Sequence, residues 1–364
     1  MAELTPKALE AYLTALVGRR VSVLGMRRLD KGSDDAPDEV KGYGYGVPIR
    51  IDFEPEGSAR RTAVLHTITP GPFGHEHMAD RAQELLWEHQ AFNRLPRHVR
   101  SLDVAGIREG GDLVTLGSIE ELCLLTDYVE GESYANDVER IFRAGELTDL
   151  DLVRADALCD YLAEIHAVPG NDPGLYARRI RELVGHGECI MGLIDNYPPH
   201  AIVTPAILEE IERRCLKWRW RLKGLTHRLK QVHGDFHPWN ILFGQGADFQ
   251  LLDRSRGEFG DPADDVASLT MNYVFFSLQR SGRLEGCFET LFLRFWRRYL
   301  ERSGDYEMLK VVAPFFAFRC LVMAHPVWYP ALLDGLREKL VAFTLNVLDA
   351  ESFELARVNA YCGL

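Results

Sequence analysis

Apolar positions recur at helical spacing in the first twenty residues, MAELTPKALEAYLTALVGRR, where Leu9, Leu13 and Leu16 share a face. Thr5 is a capping residue and Pro6 suits a first turn, so the segment predicts an amphipathic helix. The period then changes to two. Residues 21–28, 47–53 and 61–69 read as strands, with Glu56-Gly57 as a hairpin turn between the last two. Residues 30–46 are polar and carry Gly32, Gly42, Gly44 and Gly46, which predicts a long loop, a feature that is often functional. Residues 79–95 return to a helical pattern. A strand pair is expected at 104–108 and 122–128, with Gly110-Gly111 in the connecting loop. Helical periodicity dominates beyond residue 128, at 152–166, 205–229 with a break near Gly224, 262–279, 284–302, 306–323 and 332–348. One non-helical island, residues 232–253, interrupts it. The pattern predicts an α+β chain with a β-rich part, 1–127, and a helical part, 128–364, without internal repeats.

Composition narrows the classes. Of 364 residues, 46% are hydrophobic and 26% charged, which excludes disorder, collagen and a disulfide-rich minidomain. Acidic residues outnumber basic ones, 54 to 42, for a formal charge of −12. That balance argues against a general nucleic-acid binder and suits a cationic partner. Seven cysteines without a Cys-x-x-Cys pair read as scattered reduced thiols. No run of 18 apolar residues and no signal-peptide core occur, so a cytoplasmic protein without a membrane partner is expected. Neither a P-loop motif nor a Gly-x-Ser-x-Gly elbow is present.

The island, VHGDFHPWNILFGQGADFQLLD, carries the chemistry. Asp235 and Asn240 are five apart in a stretch that Gly234 and Pro238 keep out of helix. Ile241-Leu242-Phe243 and residues 249–252 form two strands joined by the turn-rich 244–248, and this hairpin returns Asp253 to the neighbourhood of Asn240 and Asp235. Three such oxygen-bearing side chains suit phosphoryl transfer. One carboxylate orients a hydroxyl and accepts its proton, while an amide and a second carboxylate hold Mg²⁺, a hard ion that prefers oxygen.

The segments HGDFHPWN and LLDRSRGEFGDPADDVA closely resemble the aminoglycoside phosphotransferase and choline kinase family, which shows His-Gly-Asp-x-His-x-x-Asn and then Gly-Asp-Pro-x-x-Asp-hydrophobic-Ala. LAEIHAVP around His166 and LLTDYVEGESY at 124–134, which looks like an inter-lobe hinge, are weaker matches. The resemblance implies a two-lobed, protein-kinase-like fold and ATP- and Mg²⁺-dependent phosphorylation of a small-molecule hydroxyl. It implies Asp235 as catalytic base, Asn240 and Asp253 as metal ligands, and His233 as an organiser of the loop. Asp261 reads mainly as a helix cap that also organises this region. The adenine is expected against 125–128, with Thr126 and Tyr128 in the nucleotide site.

The N-terminal part departs from the family. Where a phosphate-binding lysine is expected, the third strand offers His66, with Glu88 as its helix partner; a Glu88–His66 pair could restore the charge. Arg60, Arg61 and Lys41 are substitutes. The missing lysine motivates an alternative, a nucleotide-binding, pseudokinase-like protein with little transfer activity. Other features have plainer readings. His75 and His77 lack a third metal ligand. The basic segment 213–230 reads as a helix with Arg213, Lys217 and Arg221 on a solvated face, though it could serve an RNA- or partner-binding scaffold. Phe315, Phe316, Phe318, Trp328 and Tyr329 read as core or as an acceptor pocket.

Overall fold

The structure is a computed structural model and describes residues 4–29 and 46–364. The glycine run at 42–45 and Lys41 lie outside the described residues. The chain divides into two compact units, residues 1–126 and 127–364.

The first unit opens with helix α1, Pro6–Val17. Thr5 Oγ1 accepts the Ala8 N–H at 3.2 Å, and the helix ends at Gly18, whose φ of 71° is left-handed. Strands β1 (Val21–Arg28), β2 (Ile49–Pro55) and β3 (Arg61–Leu65) form an antiparallel sheet in the order β1-β2-β3. The alternation along β2 turns Ile51 and Phe53 to one face, where they pack with Val21 and with Leu9, Tyr12 and Leu13 of α1. Helix α2, Met78–Phe92, buries none of its residues. The expected strand 122–128 does not form. The partner of β4 (Ala105–Ile107) is β5 (Leu113–Thr115). The reason is local: Gly111 adopts φ 86°, the chain reverses at once, and the next apolar residues pair before 122 is reached.

The second unit is helical. Residues Glu132–Ser133 (β6) lead into α3, Tyr134–Ala144, then α4 (Asp149–Ile165), α5 (Pro173–Gly185), α6 (Ile190–Asp195) and α7 (Pro205–Leu222). Periodicity gave no forewarning of α5, which Asp172 caps and Pro173 starts. After β7 (Lys230–Gln231) comes the island, containing β8 (Ile241–Phe243) and β9 (Phe249–Leu251), then β10 (Phe259–Gly260). Helices α8 (Ala263–Ser281), α9 (Gly286–Ser303), α10 (Met308–Val311), α11 (Ala313–Ala324), α12 (Asp334–Asp349) and α13 (Val358–Tyr361) complete it. The helix expected over 306–323 is two, because Pro314 sits in the first turn of a new helix. Helices α8 and α11 are buried almost all round, as apolar helices must be. Phe315, Phe316 and Phe318 belong to this core, whereas Trp328 is exposed. No helix among the described residues is long and apolar enough to cross a membrane.

Candidate active site

The island folds against the start of α8. Asp265 is fully buried and accepts three hydrogen-bond partners: the His233 N–H at 2.8 Å, the Gly234 N–H at 2.7 Å and His166 Nε2 at 3.1 Å. His166, at the end of α4, is held in turn by Tyr299 Oη at 2.7 Å from Nδ1. One carboxylate thus satisfies two loop amides that would otherwise be orphaned in a dry interior. Burial alone pushes the Asp265 carboxyl up, but its bonds to His166 and to the loop amide outweigh that and hold it below the usual range.

Three further contacts shape the loop. His233 Nδ1 accepts the Asp235 N–H at 3.2 Å, so Nε2 carries the ring proton and donates it to the Leu252 carbonyl at 2.9 Å. The Leu252 N–H donates to the Asn240 carbonyl at 2.9 Å. Leu252 is therefore tied on both sides of its backbone to the loop, immediately before Asp253. From the other direction, Ser133 Oγ, which also caps α3, donates to the Pro238 carbonyl at 3.2 Å. The β8–β9 pairing, with Ile241 opposite Leu251, sets the register.

Asp235 is held between cations. Arg319 Nη1 donates to Asp235 Oδ1 at 2.6 Å, and Nη2 donates to Asp264 Oδ1 at 2.8 Å. His237 Nε2 lies 3.4 Å from Asp235 Oδ2. Burial opposes ionisation of Asp235, yet the His237 bond and the charges of Arg319 and Arg256 prevail and hold it far below the ordinary carboxylate range. Asp264, half-buried like Asp235, goes the other way: desolvation pushes its carboxyl up despite Arg319.

Asn240 donates its amide Nδ2 to the Asp235 carbonyl at 3.0 Å, which directs Oδ1 away from that bond. Asp253 is exposed, adopts φ 50°, and accepts the Ser255 N–H on Oδ1 at 3.2 Å. A left-handed aspartate costs roughly 1 kcal/mol and marks a position where the chain is bent for a reason other than packing. An amide oxygen and a carboxylate are hard donors of the kind that Mg²⁺ takes. Among the described residues, no group of three or more His, Cys, Asp and Glu converges as a metal site, so His75 and His77 gain no third ligand.

The remaining expected residues fare differently. Among the described residues no hydrogen bond or ion pair joins Asp261 to the loop; it accepts Arg228 through both oxygens at 2.9 Å, Tyr176 Oη at 2.8 Å and the Ala263 N–H at 3.0 Å, the last at the start of α8 where a cap was expected. The organising role belongs to Asp265, four residues on, because the α8 turn aims that carboxylate at the loop amides. His66 is exposed just beyond β3, and among the described residues no ion pair joins it to Glu88. The helix glutamate that does meet a histidine is Glu84, with His75. Thr126 and Tyr128 are exposed on a segment outside any helix or strand. Sequence reading passed over Arg319, although a lone arginine within APFFAFRCLVMA signals a buried partner.

No curated protein sequence matches the chain. Solved structures to which it is similar include a glucosamine kinase in complex with glucosamine, ADP and inorganic phosphate, at 20% identity and TM-score 0.33; the match covers 63% of this chain and 57% of that one. Glucosamine kinase in crystal form A matches at 16% identity and TM-score 0.39, covering 88% and 93%. The amicoumacin kinase hAmiN in complex with AMP-PNP, Ca²⁺ and Ami matches at 12% and 0.41, covering 85% and 89%. The model of the phosphotransferase enzyme family matches residues 73–308, a span that contains the whole loop, hairpin and α8, and the chain belongs to that family.

Proposed function

We propose that this chain transfers the γ-phosphoryl group of ATP to a hydroxyl of a small molecule, with Mg²⁺ bound by Asn240 and Asp253. The observation that carries the reading is the loop–hairpin unit itself. The bonds from Asn240 to the Asp235 carbonyl, and from Leu252 to both Asn240 and His233, put a carboxylate, an amide oxygen and a second carboxylate on one short framework. The metal, when bound, neutralises charge on the phosphates.

Asp235 is an anion at any physiological pH, so it is a weak base and a good hydrogen-bond acceptor. Its role is to orient the acceptor hydroxyl for in-line attack. The oxygen–phosphorus bond forms as the bond to ADP breaks. The hydroxyl proton, made acidic by that bond formation, passes late to Asp235. Such a sequence suits a loose transition state, where positioning outweighs base strength. Residues 125–128, with Thr126 and Tyr128, are the proposed adenine contact.

A second reading is favoured by one observation: His66 is exposed and unpaired with Glu88, so it does not act as the charged, phosphate-facing partner that this pair would make. On that reading the chain binds nucleotide without transfer. Calorimetry with ATP and Mg²⁺, followed by an acceptor screen scored by ADP release, separates the two. Asp235→Asn should lower turnover by about 10²–10⁴-fold while retaining ATP binding. Unchanged turnover would remove Asp235 from the mechanism; nucleotide binding without transfer to any acceptor would select the second reading.

A further inference from the structure

The carboxylates packed around Asp235 are already matched. Asp235 and Asp264 share Arg319, Asp265 takes His166 and two loop amides, and Asp261 takes Arg228. Arg256 adds its charge to Asp235 and Asp264 but makes no hydrogen bond with either. It belongs to the stretch between Asp253 and β10, and its backbone runs beside the loop. A Cβ built on Gly234 would lie 3.1 Å from the Arg256 Cβ, one residue from Asp235. Its guanidinium stands 4.7 Å over the ring of Phe318, and among the described residues no hydrogen bond or ion pair holds it. The Arg319 guanidinium lies over the same ring, also at 4.7 Å. Arg319 is 7% exposed, and its Nε has no partner among the described residues.

Beside the acids of the loop, one cation is left without a hydrogen-bond partner among the described residues. Two carboxylates, Asp235 and Asp264, face two guanidiniums, Arg319 and Arg256, and of these two Arg256 keeps its fork free. A half-buried guanidinium that rests over an aromatic ring and spends none of its donors on the protein is available for bidentate contact with a planar or tetrahedral oxyanion. An ammonium in the same place would meet that guanidinium's positive charge at short range.

We propose that Arg256 reads an anionic group on the acceptor, so that the substrate is a hydroxylated acid, carrying a carboxylate or a phosphate near the hydroxyl, rather than an amine. This rests on the phosphotransferase reading above and makes Arg256 a specificity residue of that site.

The test uses the full chain with Mg²⁺ and ATP and a set of matched alcohols: glycerol, glycerate, glycerol phosphate and ethanolamine. ADP release gives kcat/KM, and calorimetry with a non-hydrolysable ATP analogue gives binding for any alcohol that is not turned over. The acids should exceed both glycerol and ethanolamine by about tenfold or more, the size of one charge-assisted contact. Arg256→Met should collapse that ratio toward one, and Arg256→Lys should restore part of it. The glycerate and glycerol phosphate arms tell carboxylate from phosphate. Preference for ethanolamine or glycerol, equal binding of all four, or an acid preference that survives in Arg256→Met would overturn the proposal. If the wild-type chain binds no ATP, the phosphotransferase reading falls as well, and that outcome is distinct from ATP binding with the wrong acceptor preference.

Discussion

Arg319 is the residue on which the site's electrostatics turn. A guanidinium that is 7% exposed would be untenable alone, and it stays because two carboxylates reach it. The converse also holds: Asp235 and Asp264 need it. Arg319→Met should therefore destabilise the protein by about 2–3 kcal/mol in urea unfolding, since two half-buried carboxylates lose their partner. Adding Asp264→Asn should recover part of that loss, because one orphaned charge is gone. Full additivity of the two changes would mean that they do not share a network. Acid titration reads the same contact. The folded-state pKa of Asp235 lies below its unfolded value, so its contribution is complete above about pH 4 and is lost as pH falls below that. The stability cost of Asp235→Asn should accordingly be larger at pH 7 than at pH 3, and an equal cost at both would show that Asp235 is not held as an anion. Asp235, Asn240 and Asp253 could be nominated from the sequence because their spacing is local. Arg319 is 84 residues from Asp235, and no short-range pattern links the two.

At the scale of elements, the candidate site is a loop and a hairpin hung on the first turn of α8. Their legibility differed for a physical reason. The hairpin was readable because alternating apolar residues flank a glycine-rich turn at 244–248, and β8–β9 pair accordingly. The helices with strong stripes were readable too. The strand expected at 122–128 was not, because Gly110-Gly111 allowed a tighter reversal than periodicity could rank. Asp261 and Asp265 are four apart and chemically identical, so composition could not say which one faces the loop; the rotation of α8 decides it. That rotation yields a prediction. In Asp265→Ala, the His233 and Gly234 amides lose their acceptors at 2.8 and 2.7 Å. Their hydrogen exchange should accelerate by at least tenfold, and the protein should lose about 1.5–3 kcal/mol per charged bond removed. Exchange at those two amides no faster than in the wild type would mean that the loop is held by the hairpin alone.

Over the whole molecule, the two units differ in how much they bury. The first unit packs Leu9, Tyr12 and Leu13 against Val21, Ile51 and Phe53, and its helix α2 contributes no buried residue. In the second, fifteen of the 19 residues of α8 and eleven of the 12 of α11 are buried, and aromatic side chains fill the space between helices. Charge follows a similar division of labour. On α4 and α9, Asp156 and Asp160 meet Arg294, Arg298 and Arg302 in partly exposed pairs, each worth about 1 kcal/mol or less. Net charge therefore describes neither the stability nor the site, which is why the cationic acceptor suggested by −12 and the free guanidinium of Arg256 point in opposite directions. Burial of apolar side chains stabilises each unit more than its surface ion pairs do. Protection against hydrogen exchange should follow it: amides of β1, β2 and β3 open through fluctuations that expose few apolar groups, whereas those of α8 and α11 require the second core to come apart. In a native-state exchange experiment, the strands should lose protection at a lower urea concentration than α8 and α11, with the latter tracking global unfolding. A single transition shared by the strands and both helices would show that the two units unfold as one, and that the small core draws its stability from more than the residues it buries.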